Sequence, residues 1–250
     1  MKILAIIIGF FNVTILFAYD FESDNKYYNI INKNNVEITF KDTSYNSYLD
    51  KIIVIPISVN YQGKEYKVVQ IGEFAFTNCV NLTSVIIPES ITKIGKSSFQ
   101  NCENLDEITL PKSIEVIDKY AFALCKNIRK ISIPPKVKSI EEATFLACEN
   151  LELIEFSDEI NNIGPIAFMM CKSLKGIALP ERIDNLGTCA IFNGCENLEF
   201  IKMKSKTAPI VNPMLIKDIY KQCKLLVPAG SKMNYENAKV WKEFSSIEEY

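Results

Sequence analysis

The chain has 250 residues, of which 48% are hydrophobic, and its 28 basic and 30 acidic side chains give a formal net charge of −2. The apolar fraction is sufficient for a continuous core, which argues against a disordered chain. A near-neutral chain has no basic surplus to neutralise phosphates, so nucleic acid is a poor candidate partner. The sequence contains no histidine, the usual general base and metal ligand near neutral pH. We therefore expect no enzyme, no catalytic residue, no metal site and no cofactor.

The first predicted element is a signal peptide in residues 1–18. Lys2 supplies a short positive region, Ile3–Phe17 is predominantly apolar, and Ala18 is a small residue suited to precede a cleavage site. An apolar stretch of about 15 residues is shorter than the roughly 20 that a membrane-spanning helix needs. This favours cleavage over an uncleaved anchor, which stays the alternative. We expect a mature chain that starts at Tyr19, has no transmembrane span and is secreted or held at the cell surface.

Residues 19–67 predict an N-terminal cap followed by a leading half-repeat. Two strand patterns on either side of Asn32–Asn35 predict a β-hairpin. The segment Ile53–Pro56 has two alternating isoleucines before a proline, a pattern that recurs later in the chain. A turn at Tyr61–Lys64 then interrupts it, which predicts a second, inserted hairpin.

Residues 68–211 carry an internal repeat of about 23 residues. Six cysteines follow one another in steps of 23, 23, 23, 23 and 24, and apolar residues recur three, six and eight positions after them. One aromatic residue closes each unit. The cysteines are Cys79, Cys102, Cys125, Cys148, Cys171 and Cys195, and the aromatics are Phe76, Phe99, Phe122, Phe145, Phe168 and Phe192. A unit of this size cannot bury its apolar groups alone, so the units must stack.

The unit between two cysteines predicts two extended sides joined by corners. Val85 and Ile87 alternate inward as a strand requires, and Pro88 ends this strand because it has no backbone N–H. A second extended side follows, and Gly95 allows a tight bend before the inward-pointing Phe99. Stacking about 4.8 Å apart would place each position on the same position of the next unit.

The repeat Cys-x-x-Leu-x-x-Ile-x-Leu-Pro-x-x-Ile-x-x-Ile-Gly-x-x-Ala-Phe resembles the BspA-like, treponemal-type leucine-rich repeat over residues 68–203. The resemblance implies an α/β, strand-rich fold, a right-handed leucine-rich-repeat solenoid. It also implies an exported or surface protein of a microbe, since several members are regarded as adhesins for host matrix or other cells. The departures affect single corners: Asp118 and Glu141 replace the bend glycine, Ser157 replaces a proline, and one residue is inserted between Gly187 and Cys195.

Residues 212–250 predict a C-terminal strand–helix cap. Leu225 and Val227 continue the repeat register and should form the last inward strand. Ser231 is a suitable N-cap for a short helix. We interpret Trp241 as packing over the open end of the solenoid, in preference to a ligand contact.

Three roles were open to the cysteines. Zinc needs close pairs such as Cys-x-x-Cys, which the 23-residue steps do not provide. Disulfides fit an exported chain, but parallel side chains in stacked units hold the Cβ atoms too far apart. We favour a column of buried thiols acting as small hydrophobes. Cys189 and Cys223 lie outside this column, and the register places Cys223 at an exposed position, so we predict it as a candidate exposed thiol.

The outward residues of the first strand in each unit form the natural ligand-binding surface, which we call the strand face. Some of them are apolar where solvent is expected, which is typical of interface anchors; ordinary scatter or cover by a cap are the alternatives. The candidate ligand-binding residues are Ile86, Glu107, Lys130, Leu153, Glu155, Phe200 and Lys202.

These patterns favour an exported or cell-surface binding protein with an adhesin-like function. Its curved strand face would recognise a protein or glycan ligand on a host matrix or cell surface. The alternative is a structural, self-associating envelope component without a host ligand. An enzyme is disfavoured because the sequence has no nucleophile motif or phosphate-binding loop.

Overall fold

The computed structural model describes residues 18–42, 45–183, 185–187, 190–211 and 219–250. Short strands dominate these residues because each unit has only two or three alternating inward side chains on each side. The strands are β1 (Phe21–Ser23), β2 (Lys26–Ile30), β3 (Asn35–Thr39), β4 (Ile52–Val54), β5 (Ser58–Tyr61), β6 (Lys64–Ile71), β7 (Ser84–Ile86), β8 (Lys93–Ile94), β9 (Glu107–Ile108), β10 (Val116–Ile117), β11 (Lys130–Ser132), β12 (Ser139–Ile140), β13 (Leu153–Glu155), β14 (Asn162–Ile163), β15 (Gly176–Leu179), β16 (Asn185–Leu186), β17 (Phe200–Met203), β18 (Lys224–Val227) and β19 (Ile247–Glu249).

The strands of neighbouring units pair in parallel at equivalent repeat positions, which confirms the solenoid. Ile53 pairs with Val85, and Val85 pairs with Ile108. Further along, Ile131 pairs with Ile154. On this first side the strands form three sheet segments, β4–β7–β9, β11–β13 and β15–β17–β18–β19. The second side contains β6, β8 and β10, followed by β12, β14 and β16.

The core consists of columns of identical or similar side chains, one from each unit. The six repeat cysteines and six repeat phenylalanines are at most 1% exposed. Adjacent phenylalanine rings stack with centroids 5.1 to 6.0 Å apart. At the N-terminal end Tyr48 extends this column, 5.0 Å from Phe76, and its hydroxyl donates a hydrogen bond to the Thr39 carbonyl.

The N-terminal strands extend only the second side of the solenoid. β2 and β3 form an antiparallel hairpin, and β5 and β6 form another, as the two turn patterns predict. β3 then pairs in parallel with β6, so the sheet runs β1–β2–β3–β6–β8–β10. β4 starts the first side and pairs only with β7 among the described residues. The domain limits 19–67, 68–211 and 212–250 stay predictions.

The C-terminal segment contains one strand more than the sequence predicts. Leu225 and Val227 are fully buried in β18, as expected, but β18 is not the last strand, because β19 pairs with it in parallel. A short helix, α1 (Lys232–Glu236), and a 3₁₀ turn (Trp241–Glu243) lie between them.

Ser231 occupies the N-cap position of α1, as the sequence predicts, but its side chain makes no capping hydrogen bond. Ser231 has helical backbone angles, and its hydroxyl donates back to the Pro228 carbonyl instead of accepting from the helix. Trp241 packs as expected. It is 1% exposed, and its Nε1 donates to the Pro209 carbonyl at 2.7 Å.

The predicted signal peptide covers residues 1–18, and all of it except Ala18 lies outside the described residues. Within the described part of the chain, none of the helices has the length and apolar character required to cross a bilayer.

The candidate ligand-binding face

On the strand face, equivalent outward positions of neighbouring strands lie side by side, as the repeat predicts. β7, β9, β11 and β13 place Ser84 beside Glu107 and Lys130 beside Leu153, and β15 and β17 place Gly176 beside Phe200. Ile86 is 55% exposed and Leu153 is 41% exposed, although both are large apolar side chains. The face therefore presents apolar side chains within a row of charged and polar ones.

A charged cluster occupies the middle of the strand face. The Nζ of Lys130 lies 3.1 Å from the Oε1 of Glu155, and the Ser132 hydroxyl donates to the other oxygen of the same carboxylate. Hydrogen bonds from Ser132 and then Lys130 lower the pKa of Glu155. The carboxylate is therefore ionised near neutral pH, and exposed Leu153 lies on the same strand.

Phe200 is less exposed than the sequence indicates. Its ring lies directly over the backbone of Gly176, where an added Cβ would stand 2.2 Å from the ring Cζ. Gly176 is the one glycine in its outward column, so here the ring can occupy space that a side chain fills at the equivalent positions of the other units. Phe200 is therefore half-buried.

Lys202 has an aromatic partner that the repeat pattern does not reveal. Its Nζ lies 3.7 Å from the centroid of the Tyr250 ring, and the Tyr250 hydroxyl donates to the Met203 carbonyl at 3.0 Å. The contact arises because β19 adds a strand beside β18, which brings the last residue of the sequence back over β17. Tyr250 thus joins the face without carrying any repeat signal.

The prediction of an exposed thiol at Cys223 is wrong. Cys223 is 1% exposed, and burial raises its pKa to about 12. In the regular units the buried leucine follows the turn and comes one residue before the position of Cys223, as Leu82 comes before Thr83. In the last unit the Cys223 N–H bonds back to the Ile219 carbonyl, and Cys223 alternates inward with Leu225 and Val227. Cys189 lies outside the described residues.

The cysteine column consists of buried thiols. All seven described cysteines are free. From the second unit onward each repeat thiol donates a hydrogen bond to the carbonyl of a repeat phenylalanine; for example, the Sγ of Cys148 lies 3.1 Å from the Phe122 oxygen. These contacts connect consecutive units in the core. Nothing in this geometry activates a thiol as a nucleophile.

The family assignment follows from the repeat. The family of the BspA type leucine rich repeat region matches six copies over residues 69–199. The chain belongs to this family. The matching family does not indicate a catalytic activity. None of the curated proteins matches the chain in sequence.

Solved structures of bacterial leucine-rich-repeat proteins share the fold. A leucine rich cell surface protein from Faecalibacterium prausnitzii is 24% identical, with a TM-score of 0.64, over 76% of this chain and 55% of that one. A leucine rich repeat protein from T. pallidum is 23% identical, with a TM-score of 0.50, over 73% of this chain and 71% of that one. The BspA-type chain therefore spans about half the length of the first of these relatives.

Proposed function

We propose that this BspA-type chain is an exported or cell-surface recognition module that binds a protein or glycan ligand through its strand face, in the manner of an adhesin. The cell-surface location is supported by the repeat family and by a cell surface protein among the similar solved structures. The apolar stretch after Lys2 supports export. The fold supports recognition because stacked repeats produce one extended, regular surface.

The observation that carries the proposal is the composition of the strand face. Ile86 and Leu153 remain exposed on the sheet, and a large exposed apolar side chain bordered by polar groups is typical of a protein interface. Glu107 and the Lys130–Glu155 pair supply that polar border. Such a surface suits a broad ligand, a protein or an extended glycan, better than a small metabolite that needs an enclosed cavity.

The proposal is tested by reversing four charges on the strand face: Glu107→Lys, Lys130→Glu, Glu155→Lys and Lys202→Glu. The net charge is unchanged, so any effect reports the charge pattern of the face. We expect affinity for ligands detected on arrays of extracellular-matrix proteins and glycans to fall at least tenfold, because complementary charges fix the register of an interface.

The matched control reverses two ion pairs on the second side of the solenoid, Glu115 with Lys136 and Lys93 with Asp118. It makes the same number of changes and also leaves the net charge constant. This variant should bind like the unchanged protein. Binding that survives reversal of the strand face would show the location to be wrong, and a protein that binds nothing on either array would contradict the ligand class.

A further inference from the structure

The strand face ends at β4 in an exposed apolar edge. Ile52 and Val54 point outward and are 59% and 53% exposed, and the flanking Leu49 and Ile57 are 69% and 64% exposed. Ile53 between them is buried. Among the described residues, the N-terminal strands pair on the second side only and leave this edge open. Four large apolar side chains thus surround one short strand.

The outer edge of β4 also has backbone groups available for pairing. The Lys51 carbonyl accepts from the Thr83 N–H at 2.7 Å, and the Ile55 N–H donates to the Ile86 carbonyl at 3.0 Å. Bonding direction alternates along a strand. The backbone N–H and C=O of Ile52 and Val54 therefore point away from β7. Open edges with apolar side chains readily pair with another strand.

The opposite end of the strand face is different. β19 presents Glu248, which pairs with Lys224 at 3.0 Å, and Glu249, which accepts from the Lys232 N–H at 2.9 Å. Stacking one molecule on the next from head to tail in the repeat register would set Glu248 against Val54 and Glu249 against Ile55. This burial of charge against apolar side chains is unfavourable, so the partner of β4 is not β19 of a second copy.

β4 is instead complementary to itself. We propose that two copies of the chain associate through antiparallel pairing of their β4 strands around a two-fold axis at Ile53. In this register Ile52 of one copy faces Val54 of the other, and Leu49 faces Ile57. Both Ile52–Val54 pairs are hydrogen-bonded pairs that use the free backbone groups. The interface is isologous, the commonest arrangement of homodimers.

The size of this contact sets its strength. The four apolar side chains expose on the order of 100 Å² each, so two copies with their strand backbones bury on the order of 1,000 Å². Specific stable interfaces bury roughly 1,200 to 2,000 Å². The dimer is therefore weak, and its population depends on concentration over the micromolar range.

The test is sedimentation equilibrium of the full chain from about 1 to 200 μM. The unchanged protein should shift from monomer to dimer. Val54→Lys and Ile52→Glu, each at an exposed position, should weaken dimerisation at least tenfold, because each sets a charge against an apolar side chain twice per interface. The double variant Ile52→Glu/Val54→Lys should dimerise again, because the proposed register places the introduced glutamate of one copy opposite the introduced lysine of the other.

Several outcomes would overturn the proposal. The first is a monomer at every concentration, and the second is a dimer that Val54→Lys leaves intact. The third is a double variant that stays monomeric. The double variant tests the register because every other antiparallel register that uses these backbone groups would oppose like charges. The matched control is Ile210→Lys, at a fully exposed isoleucine near the C-terminal segment, and it should leave the dimer unchanged. If β4 instead pairs with a strand of another protein, the purified chain would stay monomeric in this experiment.

The dimer proposal and the ligand-binding proposal can be tested independently of each other. The four-charge variant of the strand face retains β4 and should dimerise normally. Val54→Lys retains the charged cluster around Glu155 and should bind a single ligand as before. Thermal unfolding of each variant checks that the exposed substitutions leave the fold intact.

Discussion

At the scale of single residues, the corners of the solenoid depend on left-handed backbone conformations. The residue before each repeat cysteine has a positive φ, and before the first five of these cysteines its N–H donates to the next unit. Leu124 has φ 63° and bonds to the Leu146 carbonyl, and Ala147 has φ 55° and bonds to the Met169 carbonyl, both at 2.7 Å. Asn and Gly suit this conformation, whereas other residues adopt it at a cost of roughly 1–2 kcal/mol.

Ala147→Gly should therefore stabilise the protein. The substitution relieves the backbone strain and retains the hydrogen bond to the Met169 carbonyl, so we expect about 1 kcal/mol and a rise of roughly 2–4 °C in the unfolding midpoint. The comparison at the same position is Ala147→Val, whose β-branch makes the conformation less favourable and should lower the midpoint. Calorimetry that ranks the valine variant above the glycine variant would contradict this account.

The buried thiols make stability depend on pH in the alkaline range. Burial raises the pKa of Cys148 and Cys195 to about 12, whereas an unfolded cysteine has a pKa of about 8.5. Above about pH 8.5 the unfolded chain loses these protons and the folded chain keeps them. The stabilisation is therefore complete below that pH and is lost as the pH rises towards 12.

Urea unfolding at pH 7.5 and 9.5, with reductant present, should show a loss of at least about 2 kcal/mol at the higher pH. Cys148→Ser retains a hydroxyl that can donate to the Phe122 carbonyl but does not titrate in this range. Its pH-dependent loss should be smaller by about 1 kcal/mol. Equal stability at both pH values would show that the thiols are accessible to water.

At the scale of one element, the phenylalanine column contributes buried apolar surface, whereas the charged columns favour the correct alignment of the units. The rings stack nearly parallel. Because they are identical, they would be buried equally well if the units were misaligned by a whole repeat. Charges alternate along a neighbouring surface column, where Lys126 pairs with Glu103 at 2.7 Å and Lys172 pairs with Glu149 at 2.9 Å. Such exposed pairs add little stability, but a shift of register would oppose like charges. They therefore favour the correct alignment of units.

Phe122→Ala should cost about 3–5 kcal/mol. The ring stacks between Phe99 and Phe145, with centroids 5.3 and 5.7 Å away, so the cavity would damage two unit interfaces. Phe122→Leu fills much of that space and should cost less than half as much. Chemical denaturation of both variants measures the difference, and equal losses would indicate that the ring's volume is not what stabilises the column.

At the scale of the whole molecule, the sequence predicts what the period controls and little else. One repeat predicts the inward columns, the pairing of equivalent positions and the outward residues, because every unit packs against its neighbours in the same way. β19 is not predictable in this way, since its Ile-Glu-Glu sequence becomes a strand only by pairing with β18. For the same reason Tyr250 carries no signal, and Cys223 is misplaced because the turn before β18 is irregular.

The open edge at β4 has a consequence for how ligands are engaged. In an antiparallel pair, opposite residues point to the same side of the sheet, so two strand faces joined at β4 look in one direction. A dimer then offers two identical sites to a surface that displays many copies of a ligand. Once one site is occupied, the second binds at a high effective concentration, and avidity can exceed the single-site affinity by a factor of roughly 100 to 10,000. Weak individual contacts would then suffice to hold the protein on a dense array.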